Sequence, residues 1–167
     1  MLRKIIAVAR ELLEKLLVTK TYYGNAAVIS CASKPLKKKE LGGGFVIGVF
    51  FQGFQNKGIG LGQFSPAATQ TEADLDSIYT GLTRFIMMNP GLSSPVVLEH
   101  TNKKIQYAIT TGFPARGWTA AEAKVVMRKL PLILDLWKNY PAGLQTVVYS
   151  RKSTEGLIAV NEIITEG

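Results

Sequence analysis

Basic side chains are the most frequent groups in this sequence that could bind a charged ligand. Seven of them fall in three short clusters: Lys37, Lys38, Lys39, Lys103, Lys104, Arg151 and Lys152. Clustered lysine and arginine neutralise phosphate groups and displace their counterions, which is the chemistry of a surface that binds a polyanion. Each cluster could instead be a solvated loop that binds no ligand, and this alternative stays open. Asn102 precedes the second cluster and is a further candidate contact.

The distribution of charge favours the first interpretation. The chain has 20 basic and 12 acidic residues, and a net charge of +8. Residues 1–39 hold nine basic and two acidic residues, so +7 of the total comes from this end of the chain. Such an asymmetry indicates a polyanion partner, most simply RNA or DNA. A basic segment that only confers solubility is the alternative.

Acidic side chains are concentrated at the start of a predicted helix. Glu72, Asp74 and Asp76 lie in the first turns of a helix predicted over residues 70–88. Negative charge at this end of a helix complements the helix dipole, so Asp74 has a structural interpretation as well as any functional one.

The single cysteine and the single histidine exclude several chemistries. One cysteine rules out an internal disulfide framework and a multi-cysteine zinc site, and one histidine rules out a His-rich metal site. Cys31 lies in a short apolar strand and is expected to be a core residue. His100 ends another predicted strand and is expected to be a surface or hydrogen-bonded histidine.

Periodicity predicts the elements that must position these residues. After a helix over residues 1–20, it predicts strands at 26–33, 45–54 and 59–64, a helix at 70–88, a strand at 95–99, helices at 102–110 and 118–140 with a break or kink at Pro131, a strand at 145–150 and a helix at 154–165. Three meandering strands followed by two strands with helical crossovers predict an α/β fold. We expect a mixed five-stranded sheet with helices on both faces.

The first predicted helix is amphipathic and stands outside this pattern. Ile5, Val8 and Leu12 share its apolar stripe, while Glu11 and Glu14 interrupt any apolar run of the kind found in a secretory signal. We therefore divide the chain into a helix of residues 1–22 and a domain of residues 23–167. The helix is expected to dock on its own domain or a protein partner, self-association included. No apolar run approaches the roughly 20 residues that span a bilayer, so we expect an intracellular protein of undetermined compartment and no membrane partner.

Three segments resemble the ribonuclease H family of retroelements, viruses and cells, and the resemblance covers roughly residues 25–166. The segment TQTEADLDSIYTGL (residues 69–82) is similar to the family's first-helix motif, an acidic residue followed by an apolar stripe. VVLEHTNKKIQYAI (96–109) resembles its fourth strand and the following helix, and SRKSTEGLIAVNEI (150–163) its last loop and helix. A retroelement or viral source would be natural for such a chain.

Family members cut RNA with two divalent ions held by about four carboxylates. Carried over by resemblance, these positions fall at Cys31 (or Ser30, one register away), Asp74, Thr101 and Ile164. Only Asp74 is acidic. Two hard cations about 3.5–4 Å apart need several anionic oxygens to hold them. The resemblance therefore implies a catalytically inactive domain that needs no cofactor.

The sequence thus predicts an inactive ribonuclease H-like domain that binds RNA, an RNA/DNA hybrid or an assembly containing nucleic acid. If the fold is as expected, the clusters at 37–39, 102–104 and 151–152 converge at the carboxyl end of the sheet. One alternative is a protein-interaction module with no nucleic-acid role. Another is a Mg²⁺- or Mn²⁺-dependent ribonuclease with its site displaced onto Glu72, Asp74 and Glu99, and only that alternative requires a metal ion.

Overall fold

The computed structural model describes residues 2–9, 27–36, 44–52, 58–88, 96–112, 116–138, 146–149 and 154–166. The predicted contacts at Lys37, Lys38, Lys39, Arg151 and Lys152 lie outside these ranges. Within them, no helix combines the length and the apolar character that crossing a bilayer requires.

After an initial helix, α1 (residues 2–9), the chain forms three successive strands and then a mixture of helices and two further strands. They are β1 (Ala27–Pro35), β2 (Phe45–Gln52), β3 (Gly58–Ser65), α2 (Gln70–Met88), β4 (Val96–His100), α3 (Lys103–Thr111), α4 (Ala120–Lys138), β5 (Thr146–Tyr149) and α5 (Glu155–Glu166). The α/β class is confirmed. All side chains of α1 are exposed, Leu2, Ile5 and Val8 included.

Helix α4 runs through Pro131 without interruption, so the break expected at that residue is wrong. Val126 and Leu130 before the proline and Ile133 after it are all buried. Their spacing of four and three residues places them on one stripe. Packing of this stripe on both sides of the proline offsets the hydrogen bond that proline removes.

The sheet is mixed, with the strand order β3-β2-β1-β4-β5. β1 pairs antiparallel with β2, and β2 with β3, whereas β4 is parallel to both β1 and β5. The carboxyl ends of β1, β4 and β5 therefore meet at one edge. In α/β sheets this edge is where ligands commonly bind.

Alternate residues of β1 face different helices. Ile29 and Cys31 belong to the main core with α2, α3 and α4, while Ala32 packs with Val160 and Ile164 of α5. Helix α2 lies directly on the sheet, since a Cβ atom added at Gly81 would be 2.9 Å from the Cys31 sulfur. Residues of β1 at odd and even positions thus belong to opposite sides of the sheet.

Candidate functional site

One buried carboxylate occupies the edge where β1 and β4 end. Asp74, in the second turn of α2, is only 7% exposed. Its Oδ1 accepts a hydrogen bond from the Ser33 hydroxyl on β1 (2.5 Å) and another from the Gln70 amide (3.1 Å). Its Oδ2 accepts a hydrogen bond from the Asn102 amide, just after β4 (2.9 Å). Both oxygens are therefore occupied by neutral donors from three parts of the fold.

Asn102 has a fixed orientation in this cluster. Its Oδ1 accepts the backbone N–H groups of Lys104 (3.1 Å) and Ile105 (3.2 Å), which makes Asn102 the N-cap of α3. Because the oxygen is committed to the helix, the N–H₂ group must face Asp74. Asn102 is half-buried, and its side chain is engaged on both sides rather than presented to a ligand. Its role is to position the residues that follow it.

Burial raises the pKa of the Asp74 carboxyl, and the hydrogen bonds from Ser33, Asn102 and Gln70 offset part of that rise. A carboxyl whose pKa in the folded state lies above its unfolded value of about 3.9 stabilises the fold most below that value. The contribution is lost as the pH rises through the folded-state pKa. We therefore expect the free energy of unfolding of the native protein, relative to Asp74→Asn, to fall as the pH rises from about 4 toward neutrality.

Urea denaturation of both proteins across this pH range measures the difference. Subtracting the unfolding free energy of Asp74→Asn from that of the native protein removes the contributions of the titrating groups that both proteins share. A difference in stability that stayed constant, or that grew with pH, would show that the carboxyl is not desolvated as described.

The β1 side chain that contacts Asp74 is Ser33, and Cys31 makes no such contact. Cys31 is fully buried in the main core, and burial raises the pKa of its thiol far above the ordinary value. Ser33 lies two residues further along β1, on the same face, and reaches Asp74. Ser30 lies on the opposite face and contacts a different carboxylate, Glu99.

The other two positions carried over by resemblance also lie away from Asp74. Thr101 is exposed, and its neighbour Asn102 makes the contact. Ile164 is buried beside Ala32 in the cluster on the α5 side of the sheet. An apolar side chain on the inner stripe of α5 holds that helix to the sheet.

Glu99 forms a second buried cluster on the α5 side. It is fully buried on β4 and lies opposite Ser30 of β1. One of its oxygens accepts hydrogen bonds from the hydroxyls of Ser30 (2.8 Å) and Thr154 (2.7 Å). Thr154 also accepts the backbone N–H of Leu157, so it caps α5. Glu99 therefore ties the start of α5 to the parallel strands.

This contact has a measurable consequence at Gly156. A Cβ atom there would lie 2.1 Å from the Ser30 hydroxyl and 3.4 Å from a Glu99 oxygen. Alanine normally stabilises a helix by up to about 1 kcal/mol over glycine. We expect Gly156→Ala to do the opposite and lower the free energy of unfolding by about 1–3 kcal/mol, because the Ser30 hydroxyl must move away from its hydrogen bond to Glu99. Thermal or urea denaturation measures the change, and a gain in stability would contradict the tight packing of α5 on Ser30.

His100 supports the turn that leads to α3. It is buried, its Nε2–H donates to the Gln106 side chain (2.7 Å), and its Nδ1 accepts the backbone N–H of Asn102 (3.2 Å). Burial lowers its pKa to about 4, so the ring is neutral near pH 7. The sequence predicted that His100 is either at the surface or hydrogen-bonded in the interior. The second alternative is correct.

The first turns of α3 present a basic surface beside this edge. Lys103 and Lys104 are exposed, and the Lys104 ammonium donates to the Gly117 carbonyl (3.4 Å). That contact brings the exposed Arg116 next to α3. Tyr107, 50% exposed, follows the two lysines at helical spacings of four and three residues. α3 contains no acidic residue, so nothing on its own helix neutralises the lysines.

Comparison with known proteins identifies the fold. No protein-family model and no curated protein matches the chain. LC11-RNase H1 in complex with an RNA/DNA hybrid is 14% identical over 84% of this chain and 97% of its own, with a TM-score of 0.61. RNase H1 of the archaeon Halobacterium salinarum is 14% identical over 84% and 99%, with a TM-score of 0.57. The foamy viral protease-reverse transcriptase bound to RNA/DNA hybrid is 13% identical over 86% of this chain and 20% of its own, with a TM-score of 0.64. This chain has a ribonuclease H-like fold.

Glu72, Asp74 and Glu99, the residues of the displaced metal site, have separate partners in the structure. Glu72 is paired with Lys129 of α4 (3.1 Å), and Glu99 lies on the face of the sheet opposite Asp74. Among the described residues, no three Asp, Glu, His or Cys side chains are grouped so that they could hold a metal ion.

Sequence reasoning missed Ser33, Gln70, Tyr107 and Arg116. The spacing of Tyr107 from Lys103 and Lys104, opposite the buried Ile105, was a usable signal in the sequence. Gln70 precedes Asp74 by four residues on the predicted helix, which was also a usable signal. Ser33 and Arg116 reach their places only through the tertiary fold, and no local pattern marks them.

Proposed function

We propose that this ribonuclease H-like domain binds RNA or an RNA/DNA hybrid and does not cleave it. The observation that carries the proposal is the Asp74 cluster, in which a single carboxylate accepts hydrogen bonds from Ser33, Gln70 and Asn102. A two-ion nuclease needs several anionic oxygens at this place. Here the neighbouring side chains offer neutral groups instead.

The donor set does not fit the divalent cations that the fold family implies. Hard cations take oxygen ligands, and an amide N–H cannot serve as one. The orientation of Asn102 is imposed by the α3 backbone, so its amide cannot turn an oxygen toward Asp74 without uncapping the helix. No step of the function is therefore assigned to a metal ion.

Binding is assigned to the basic surface of α3. Lys103, Lys104 and Arg116 supply three exposed positive charges at the edge of the sheet, and Tyr107 supplies an exposed ring. Lysine and arginine contact phosphates without reading sequence, and an aromatic ring stacks on unpaired bases. Two ribonuclease H-like structures of the same fold were solved with an RNA/DNA hybrid, which supports the choice of ligand class. The loop lysines at 37–39 and the Arg151-Lys152 pair stay predicted contacts.

Anisotropy titrations of labelled RNA/DNA hybrid, single-stranded RNA and duplex DNA at low and moderate salt test this function. We expect salt-sensitive binding of RNA or hybrid, and a loss of at least about tenfold in affinity when Lys103→Glu and Lys104→Glu are combined. The matched control combines Arg84→Glu and Lys138→Glu, which changes the net charge equally at exposed positions in the C-terminal parts of α2 and α4. We expect the control to lose far less affinity.

Two results would contradict the proposal. If no nucleic acid binds in a salt-dependent way, the protein-interaction alternative takes its place, and the exposed apolar side chains of α1 already favour such a role. If the two double variants lose affinity equally, binding depends on overall charge and the α3 surface is not the site.

A further inference from the structure

Strand β3 forms an edge of the sheet. It pairs with β2 on one side, and no described strand pairs with it on the other. Of its eight residues, only Ser65 is buried and only Leu61 is half-buried. The exposed residues include two large apolar side chains, Ile59 (55% exposed) and Phe64 (54%).

Within its own eight residues, β3 has none of three common features by which proteins prevent strand addition. Charged side chains, proline and β-bulges are the usual protections of an edge strand. The sequence of β3, GIGLGQFS, contains no charged residue and no proline. Its pairing with β2 runs from Phe45↔Ser65 to Gln52↔Gly58 without a skipped residue, so no bulge interrupts it. The result is a regular, uncharged edge eight residues long.

We propose that β3 pairs with β3 of a second copy of this chain, antiparallel about a twofold axis. Main-chain groups at a sheet edge are satisfied by an extended strand, and a second copy supplies one of the same length. In a twofold arrangement the two identical edges satisfy each other at once. The strand is uncharged although the chain carries +8, so no like charges of β3 face each other across the axis.

The side chains around β3 agree with close approach of another strand. Residues 58, 60 and 62 are glycines, and the space that a Cβ atom would occupy at Gly60 and Gly62 is taken by Ile163 of α5. The contacting groups at these positions are therefore main-chain atoms. Pairing would also cover part of Ile59 and Phe64. An absence of cations along β3 makes nucleic acid an unsuitable occupant of this edge.

Sedimentation velocity from low micromolar to several hundred micromolar protein tests the proposal. We expect a concentration-dependent dimer in the native protein and none over this range when Ile59→Lys and Phe64→Lys are combined. The matched control combines Met87→Lys and Met88→Lys, two exposed apolar residues at the end of α2, and should dimerise like the native protein. A variant that combines Ile5→Lys and Ile6→Lys in α1 should also dimerise.

Hydrogen exchange gives a second measurement that does not depend on the variants folding. Amide protection in residues 58–65 should increase with the concentration of the native protein. A native protein that stays monomeric throughout would overturn the proposal. So would a dimer that survives in folded Ile59→Lys/Phe64→Lys, a dimer lost in the α1 variant, or β3 protection independent of concentration. None of these results bears on nucleic-acid binding, which is measured separately.

Discussion

Combining Ser33→Asp with Asn102→Asp is expected to create a Mn²⁺ site beside Asp74. The two native side chains contact opposite oxygens of Asp74 at 2.5 and 2.9 Å. Aspartates there place three carboxylates at one edge of the sheet, where only a cation relieves their repulsion. Aspartate is also a good N-cap, so α3 keeps its first-turn partner.

Calorimetric titration with Mn²⁺ measures the gain. We expect the affinity of the double variant to exceed that of the native protein by at least about 100-fold, since three anionic ligands replace one. Added Mn²⁺ should also raise the melting temperature of the variant, because a ligand of the folded state stabilises it. Asp74→Asn in the same background is the control and should abolish the gain. A folded double variant with native affinity for Mn²⁺ would show that Ser33 and Asn102 do not flank a latent ion position.

Cys31→Asp is expected to destabilise the fold severely, and more than Ser33→Asp alone does. Cys31 is fully buried against Gly81 of α2, and a carboxylate there would lose its hydration with no described cation beside it. The expected loss in the free energy of unfolding is about 4 kcal/mol or more. Ser33 is only half-buried at the strand end, so its substitution should cost much less.

Urea denaturation of the two variants measures this contrast. Cys31→Ala is the control for lost packing and should cost about 1–2 kcal/mol. If Cys31→Asp and Ser33→Asp lowered the free energy of unfolding equally, the Ser33 side chain would not be partly exposed to solvent at the edge of the sheet. That result would also weaken the assignment of Ser33 as the neighbour of Asp74.

The class of the fold was accessible from the sequence because hydrophobic periodicity is a local property. The apolar runs of β1, β2 and β4 and the stripe of α2 depend on burial, and burial leaves a repeat of two or 3.6 residues. Of the break or kink expected at Pro131, the break is wrong, because tertiary packing of Val126, Leu130 and Ile133 outweighs the local cost of the proline. The division into residues 1–22 and 23–167 stays a prediction.

The site was accessible only in part, since it depends on where strands end and which faces they share. Residues 31 and 33 share one face of β1, so the alternation of faces along the strand does not show whether Cys31 or Ser33 contacts Asp74. The separation of Glu99 from Asp74 was also hidden, because it follows from the pairing of β4 with β1. Asp74, the one acidic residue among the positions carried over by resemblance, lies at the edge where β1 and β4 end, but two of its three neutral partners, Ser33 and Asn102, come from distant parts of the chain.

Incubation of RNA/DNA hybrid with the native protein, first in EDTA and then in Mg²⁺ or Mn²⁺, tests the central claim most directly. We expect the protein to bind the hybrid in EDTA with the same affinity as in the presence of either ion. We also expect the RNA strand to stay intact after Mg²⁺ or Mn²⁺ is added. Cleavage that requires the ion and disappears in Asp74→Asn would contradict the central claim.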